Sequence, residues 1–217
     1  MEDTIQTFSK EKYTLIVSEI RNRILSAEVL ANEKNAVFIE STALQLRKIL
    51  ELIAYLSVLV NAEKLNHKER AEYHASKVVD ALTEKTTIFY PLPSRMIHPS
   101  NQTEQPVLIP LGYQHALSQE SFREAYKFCG SVLHAQHPLK KDLNIEAVFK
   151  KNKEILERLK ALLQHHTIGI MRQPNKYTFL HVEIDFSNNE NTKPSIIREY
   201  HAHIFSEAQL LEIFNAR

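Results

Sequence analysis

Arg47 and Glu51, in the run ALQLRKILELIAYL, stand four residues apart and so share one face of a helix whose other positions are mostly apolar. Either the pair lies on a single wet stripe with Lys48 and Tyr55, as an ordinary intrahelical ion pair, or it is partly buried and kept for a task, since a charge removed from water must be paired. A second group is KFCGSVLHAQHP, residues 127–138, which holds the only cysteine, one of three glycines and two of the eleven histidines. His134 and His137 either bind free carbonyls at a helix end or offer an imidazole, which titrates near neutral pH, for general acid/base work. Cys129 shares a face with Phe122, Tyr126 and Leu133, where a thiol packs as a small inert residue. Gly130 costs ~1 kcal/mol in a helix relative to alanine. Such a glycine marks the close approach of another backbone. Arg123 and His134 are separated by ~16 Å along a helix axis at 1.5 Å per residue. A basic partner for His134 must then come from another helix or another subunit.

Histidines also gather near the C-terminus. His181, Glu183 and Asp185 share one face of an alternating strand, and His201 and His203 share a face of the next, which could bracket a metal ion. Alternation of this kind is also what a solvated sheet face produces, and neither His-Glu-x-x-His nor Cys-x-x-Cys is present. The sequence therefore predicts no metal and no cofactor. The glycines stand singly at 112, 130 and 169. That excludes a dinucleotide fingerprint, a P-loop and a Gly-x-Ser-x-Gly elbow, each of which needs glycines close together.

The elements that must position these residues follow from periodicity. Tyr13, Ile16, Val17, Ile20, Ile24 and Ala27 predict an amphipathic helix over 10–31. Residues 35–62 are apolar almost all round and predict the central helix. Asn66 with Glu69 opens a third helix running to about 86 through Tyr73, Val78, Val79 and Leu82. Residues 88–117, with five of the eight prolines between 91 and 110, read as a long irregular excursion, of a length that is usually functional, disordered or packed as a cover. A fourth helix runs from Ser118 or Ser121 until Pro138 stops it, and a fifth spans about 144–165. YTFLHVEIDF then alternates as a half-buried strand, flanked by HTIGIM and SIIREYHAHI in a three-stranded meander, and Ser206–Gln209 opens a short terminal helix. The expected fold is mainly α: a five-helix up-and-down bundle over 1–165 and, over 166–217, a small C-terminal antiparallel β-meander with the terminal helix, packed on the bundle.

The 217 residues, 24% charged and with a net charge of +1, are enough for a core without staples and carry no dominant basic field. One cysteine, no apolar leader and no run long enough to span a bilayer predict a cytoplasmic protein with no membrane partner.

LQLRKILELIAYLSVLV, then YKFCGSVLHAQHP, then LLQHHTIGI, over roughly residues 10–172, resembles uncharacterised bacterial proteins with a HEPN-like (higher eukaryotes and prokaryotes nucleotide-binding) helical domain. The resemblance implies an up-and-down bundle, a homodimer, and metal-independent RNA cleavage by arginine and histidine in toxin–antitoxin or phage-defence settings. The Arg-x4-6-His motif of the cleaving members is not intact. His134 takes the histidine position, with Phe128, Cys129 and Gly130 upstream, and Arg47 of the neighbouring helix stands in for the arginine. On this reading His134 is the general acid/base, Arg47 stabilises phosphate charge and Glu51 orients one of them. The alternative is a non-catalytic helical module that oligomerises or binds a protein partner.

Overall fold

A computed structural model describes residues 8–86, 89–97, 106–134, 144–173, 176–187 and 192–203. Helices α1 (Lys10–Leu30) and α2 (Ala36–Asn61) form an antiparallel pair. Each starts where a side chain accepts a first-turn N–H: Ser9 from Lys12 and Asn35 from Val37. α2 is central, packing against α1, α4 (Ala75–Lys85), α5 (Gln119–Val132) and α6 (Ile145–Leu163). Its near-continuous burial from Leu46 to Val60 is what an apolar circumference requires.

The expected third helix is two. Asn66 and Glu69 form a reciprocal capping box for α3 (His67–Arg70), and the chain then breaks before α4 begins at Ala75. The Glu72 carboxylate accepts the His74 N–H in the break, so the backbone is satisfied without continuing the helix. The fourth helix is also shorter than expected. α5 ends at Val132 with Leu133 as its cap, its N–H donating to the Gly130 carbonyl, and His134 lies just beyond.

The sheet is larger than a three-stranded meander. Strands β1 (Leu92–Ile97) and β2 (Val107–Pro110) come from the proline-rich segment, and with β3 (His165–Gln173), β4 (Lys176–Ile184) and β5 (Ser195–His203) they give the antiparallel order β2-β1-β3-β4-β5. Prolines mislead here because two of them sit where a missing N–H is tolerated. Pro110 ends the edge strand, and Pro93 contributes its carbonyl, which accepts the Leu111 N–H. The segment is tied down further by Tyr90 and Tyr113, whose hydroxyls donate to the carbonyls of Leu117 and Pro91. The expected terminal helix over 206–214 lies outside the described residues.

α6 packs on β1, β3 and β4, and α2 on β3, so Ile168, Ile170, Leu180, Val182 and Ile184 join the same hydrophobic cluster as α1, α2 and α6. The opposite face of β4 was expected to be wet. Among the described side chains on it, Phe179 and His181 are buried, while Glu183 and Asp185 reach water. His181 is accommodated because its Nδ1 lies 3.0 Å from Thr167 Oγ1, which is 2.7 Å from Ser94 Oγ.

Candidate functional site

The mutual packing of α2, α4 and α5 leaves an open cleft of about 550 Å³. Arg47 rises from α2 into it, with Arg123, Tyr126, Lys127 and Gly130 along one wall from α5 and, along the other, Ser76 and Asp80 from α4 with His74 at its N-cap. His134 stands at the end of the α5 wall. Two of the three expected site residues, Arg47 and His134, therefore line one cleft. Glu51 is not on the lining. It acts on the cleft through its neighbours, forming an ion pair with Arg47 Nε at 3.4 Å and accepting from Lys48 Nζ at 2.7 Å and from the Tyr126 hydroxyl at 3.4 Å.

The Arg47–Glu51 pair is neither fully exposed nor fully buried: the side chains are 25% and 14% accessible. It lies on the wet stripe of α2 that also carries Lys48 and Tyr55, and the α5 wall covers part of that stripe. Tyr126 is the hub of this network. The Arg47 guanidinium lies over its ring, 4.2 Å from the centroid, and donates through Nη2 to its hydroxyl at 2.9 Å. The His74 ring meets Tyr126 edge-on at 5.2 Å. Burial raises the Tyr126 hydroxyl above the usual phenol value, Arg47 pulls it down and Glu51 pushes it back up, so it stays a neutral donor to Glu51.

Gly130 is required here for a reason different from the expected one. A Cβ at this position would lie 2.5 Å from Arg47 Nη1, so the close approach is by a guanidinium and not by another backbone. The missing side chain is the notch in which Arg47 rests. Cys129, one residue earlier, is buried, and burial pushes its thiol up to about 12, which makes it inert at neutral pH.

His74, Tyr126, Arg123 and Lys127 are cleft residues that periodicity did not single out. Tyr126 reads as a core position because its ring is buried, yet that ring carries the Arg47 guanidinium and its hydroxyl bonds Arg47 and Glu51. His74 was hidden inside an expected helix, and the break that exposes it rests on Glu72. Arg123 pairs with Asp80 across the cleft wall. Near His74 the balance of full charges on the lining is three cations to one anion, suited to an anionic ligand.

Among the described residues no group of three His, Cys, Asp or Glu side chains is placed to hold a metal ion. His181 sits against Thr167 and, through Nε2, 3.8 Å from Glu183, which Arg198 also engages. The side chains of His201 and His203 lie outside the described residues. No described helix is long and apolar enough to cross a membrane. No family model matches the chain, and no curated protein or solved structure matches it.

Proposed function

We propose that the protein acts on RNA, gripping backbone phosphate in the cleft between α2, α4 and α5, and that it is a metal-independent ribonuclease. The observation that carries this reading is the convergence of Arg47 and His134, from separate helices, on one cation-lined cleft. Arg123 and Lys127 add charge that attracts phosphate, and Arg47, held by Tyr126 and Glu51, presents a preoriented guanidinium.

The chemistry needs only groups of the chain and the RNA. The ribose 2′-oxygen attacks the adjacent phosphorus while His134 takes its proton. The bond from phosphorus to the 5′-oxygen breaks, and that oxygen takes a proton from the second imidazole, His74. The products are a 2′,3′-cyclic phosphate and a 5′-hydroxyl end, and Arg47 stabilises the charge on the phosphorane oxygens.

The test is cleavage of labelled RNA in excess EDTA. Wild-type protein should leave cyclic-phosphate ends, and His134→Ala should lose about 10²-fold or more of the rate, the ordinary contribution of a general acid/base. Binding of RNA without cleavage would leave the grip and remove the nuclease.

A non-catalytic, partner-binding module draws on different observations. Arg47 is already engaged by Glu51 and Tyr126, and edge strand β2 exposes Val107 and Ile109. Oligomerisation through that edge with no RNA affinity is the outcome that would favour it.

A further inference from the structure

A second cleft, of about 510 Å³, shares His74 with the first and is also lined by His67, Lys68, Glu72, Tyr73 and Lys77. Tyr73 is the most exposed large hydrophobic side chain of the described residues, 78% accessible. Its ring projects from the short break between α3 and α4, but its backbone is held: the Tyr55 hydroxyl of α2 donates to the Tyr73 carbonyl at 3.4 Å, and the residues on either side are fixed by the Glu72–His74 hydrogen bond. A large ring in water on an anchored backbone is a ready stacking surface, and it loses little freedom when covered. The charges around it fit a polyanion that continues past the base. Lys68 is exposed, and Lys77 answers the single carboxylate, Glu72, at 3.8 Å. His74 lines both clefts, so one extended ligand can pass from one to the other.

From this placement we infer that Tyr73 is a base-stacking platform: a ribonucleotide base lies on its ring while the adjoining phosphate sits in the Arg47–Arg123–Lys127 cleft. The inference rests on the RNA reading of that cleft and adds to it a subsite for an unpaired base. Stacking accepts any base, because each has a π face, so the platform selects single-stranded segments over sequence. A paired base keeps its faces inside the duplex and cannot reach the ring.

The full-length protein is titrated by fluorescence anisotropy with a 2′-O-methyl adenosine decamer, which cannot be cleaved, and with a matched decamer abasic at its central positions. Tyr73→Ala should weaken binding of the intact decamer about tenfold and leave the abasic decamer unchanged, whereas Tyr73→Phe should bind like wild type, since the ring and not the hydroxyl is used. Tyr73→Ala binding both oligonucleotides like wild type, while Arg47→Ala weakens both, would overturn the platform and spare the phosphate cleft. Equal weakening of both oligonucleotides by Tyr73→Ala would also overturn it, since the tyrosine would then act without a base. Wild-type protein that binds neither oligonucleotide removes the RNA reading itself, and this inference with it.

Discussion

The protein builds two polar networks around histidine, and they differ in what surrounds them. In the sheet, His166 is fully buried, its Nδ1 3.0 Å from the Leu163 carbonyl and its Nε2 3.5 Å from the Tyr13 hydroxyl, and on the other face His181 joins Thr167 and Ser94. In the α2–α4–α5 cleft the rings of His74 and His134 are exposed, and the buried or half-buried groups beneath them are Tyr126, Arg47 and Glu51. Partnered and sealed from water, the sheet network can hold the core together but cannot meet a ligand. Histidines of the cleft contribute little to the core and stand open to solvent. Residue type alone does not separate the two groups; what lies on the far side of the ring does.

The largest effect should come from breaking the sealed network. His166→Ala leaves the Tyr13 hydroxyl and the Leu163 carbonyl without a partner and opens a cavity between α1 and β3. Urea denaturation should show a loss of about 3–5 kcal/mol. His134→Ala, at an exposed position past the end of α5, should stay within about 0.5 kcal/mol of wild type. Equal losses in the two variants would mean that the distinction between the networks is false.

Acid should find the same difference. Burial drives the His166 imidazole down to about 4, and the Leu163 carbonyl opposes that shift only in part. Below the ordinary histidine value of about 6.5 the unfolded chain takes up a proton that the folded chain refuses. Stability from this group is therefore complete above about pH 6.5 and falls as the pH drops toward 4, by on the order of 3 kcal/mol in total. Denaturation between pH 7 and 4 should show that slope, and His166→Gln should flatten it. A slope unchanged by the substitution would place the acid sensitivity elsewhere.

The helices and the central position of α2 were legible in the sequence, because a period of 3.6 in apolar residues survives tertiary folding. The breaks were not. Tyr73 sits at a position that fits helical spacing, but the helix is capped at Ala71 and the Glu72 side chain takes the His74 N–H in the break. Strands β1 and β2 were hidden by prolines that fall at strand positions able to do without an N–H. Of the residues singled out by type, Arg47 and His134 line the cleft while Glu51 lies behind it, because a charge on an apolar helix and a histidine past a glycine are local signals that carry no depth. Tyr126 and the guanidinium notch at Gly130 are contacts between helices more than seventy residues apart in sequence, and no local pattern encodes them.

Gly130→Ala measures that contact. Alanine gains about 1 kcal/mol of helix propensity but sets its Cβ against Arg47 Nη1, displacing a guanidinium tethered to Tyr126 and Glu51. In the wild-type background the two effects should nearly cancel, leaving stability within about 1 kcal/mol. In an Arg47→Ala background nothing opposes the new methyl, and Gly130→Ala should then stabilise by about 1 kcal/mol. A double-mutant cycle with no coupling would show that Arg47 does not rest on Gly130.

The smallest effect on stability should come from Arg123, and it separates a cleft that binds phosphate from one that is merely charged. Its partner Asp80 is 46% accessible and Arg123 itself 55%, so the pair is screened by water, and exposed pairs of this kind contribute little. Arg123→Ala should therefore change unfolding free energy by less than about 0.5 kcal/mol. Its effect on RNA should be of another kind. Each phosphate neutralised by a cation releases counterions, so the logarithm of affinity falls with the logarithm of salt, by about 0.7 per contact on a single strand. Losing one contact should reduce that slope by about 0.7 and weaken binding to every sequence alike. The Arg123→Ala slope measured against wild type, between low and moderate salt, is the check. An unchanged slope would mean that Arg123 serves Asp80 alone, and the phosphate path would then be left to Arg47 and Lys127.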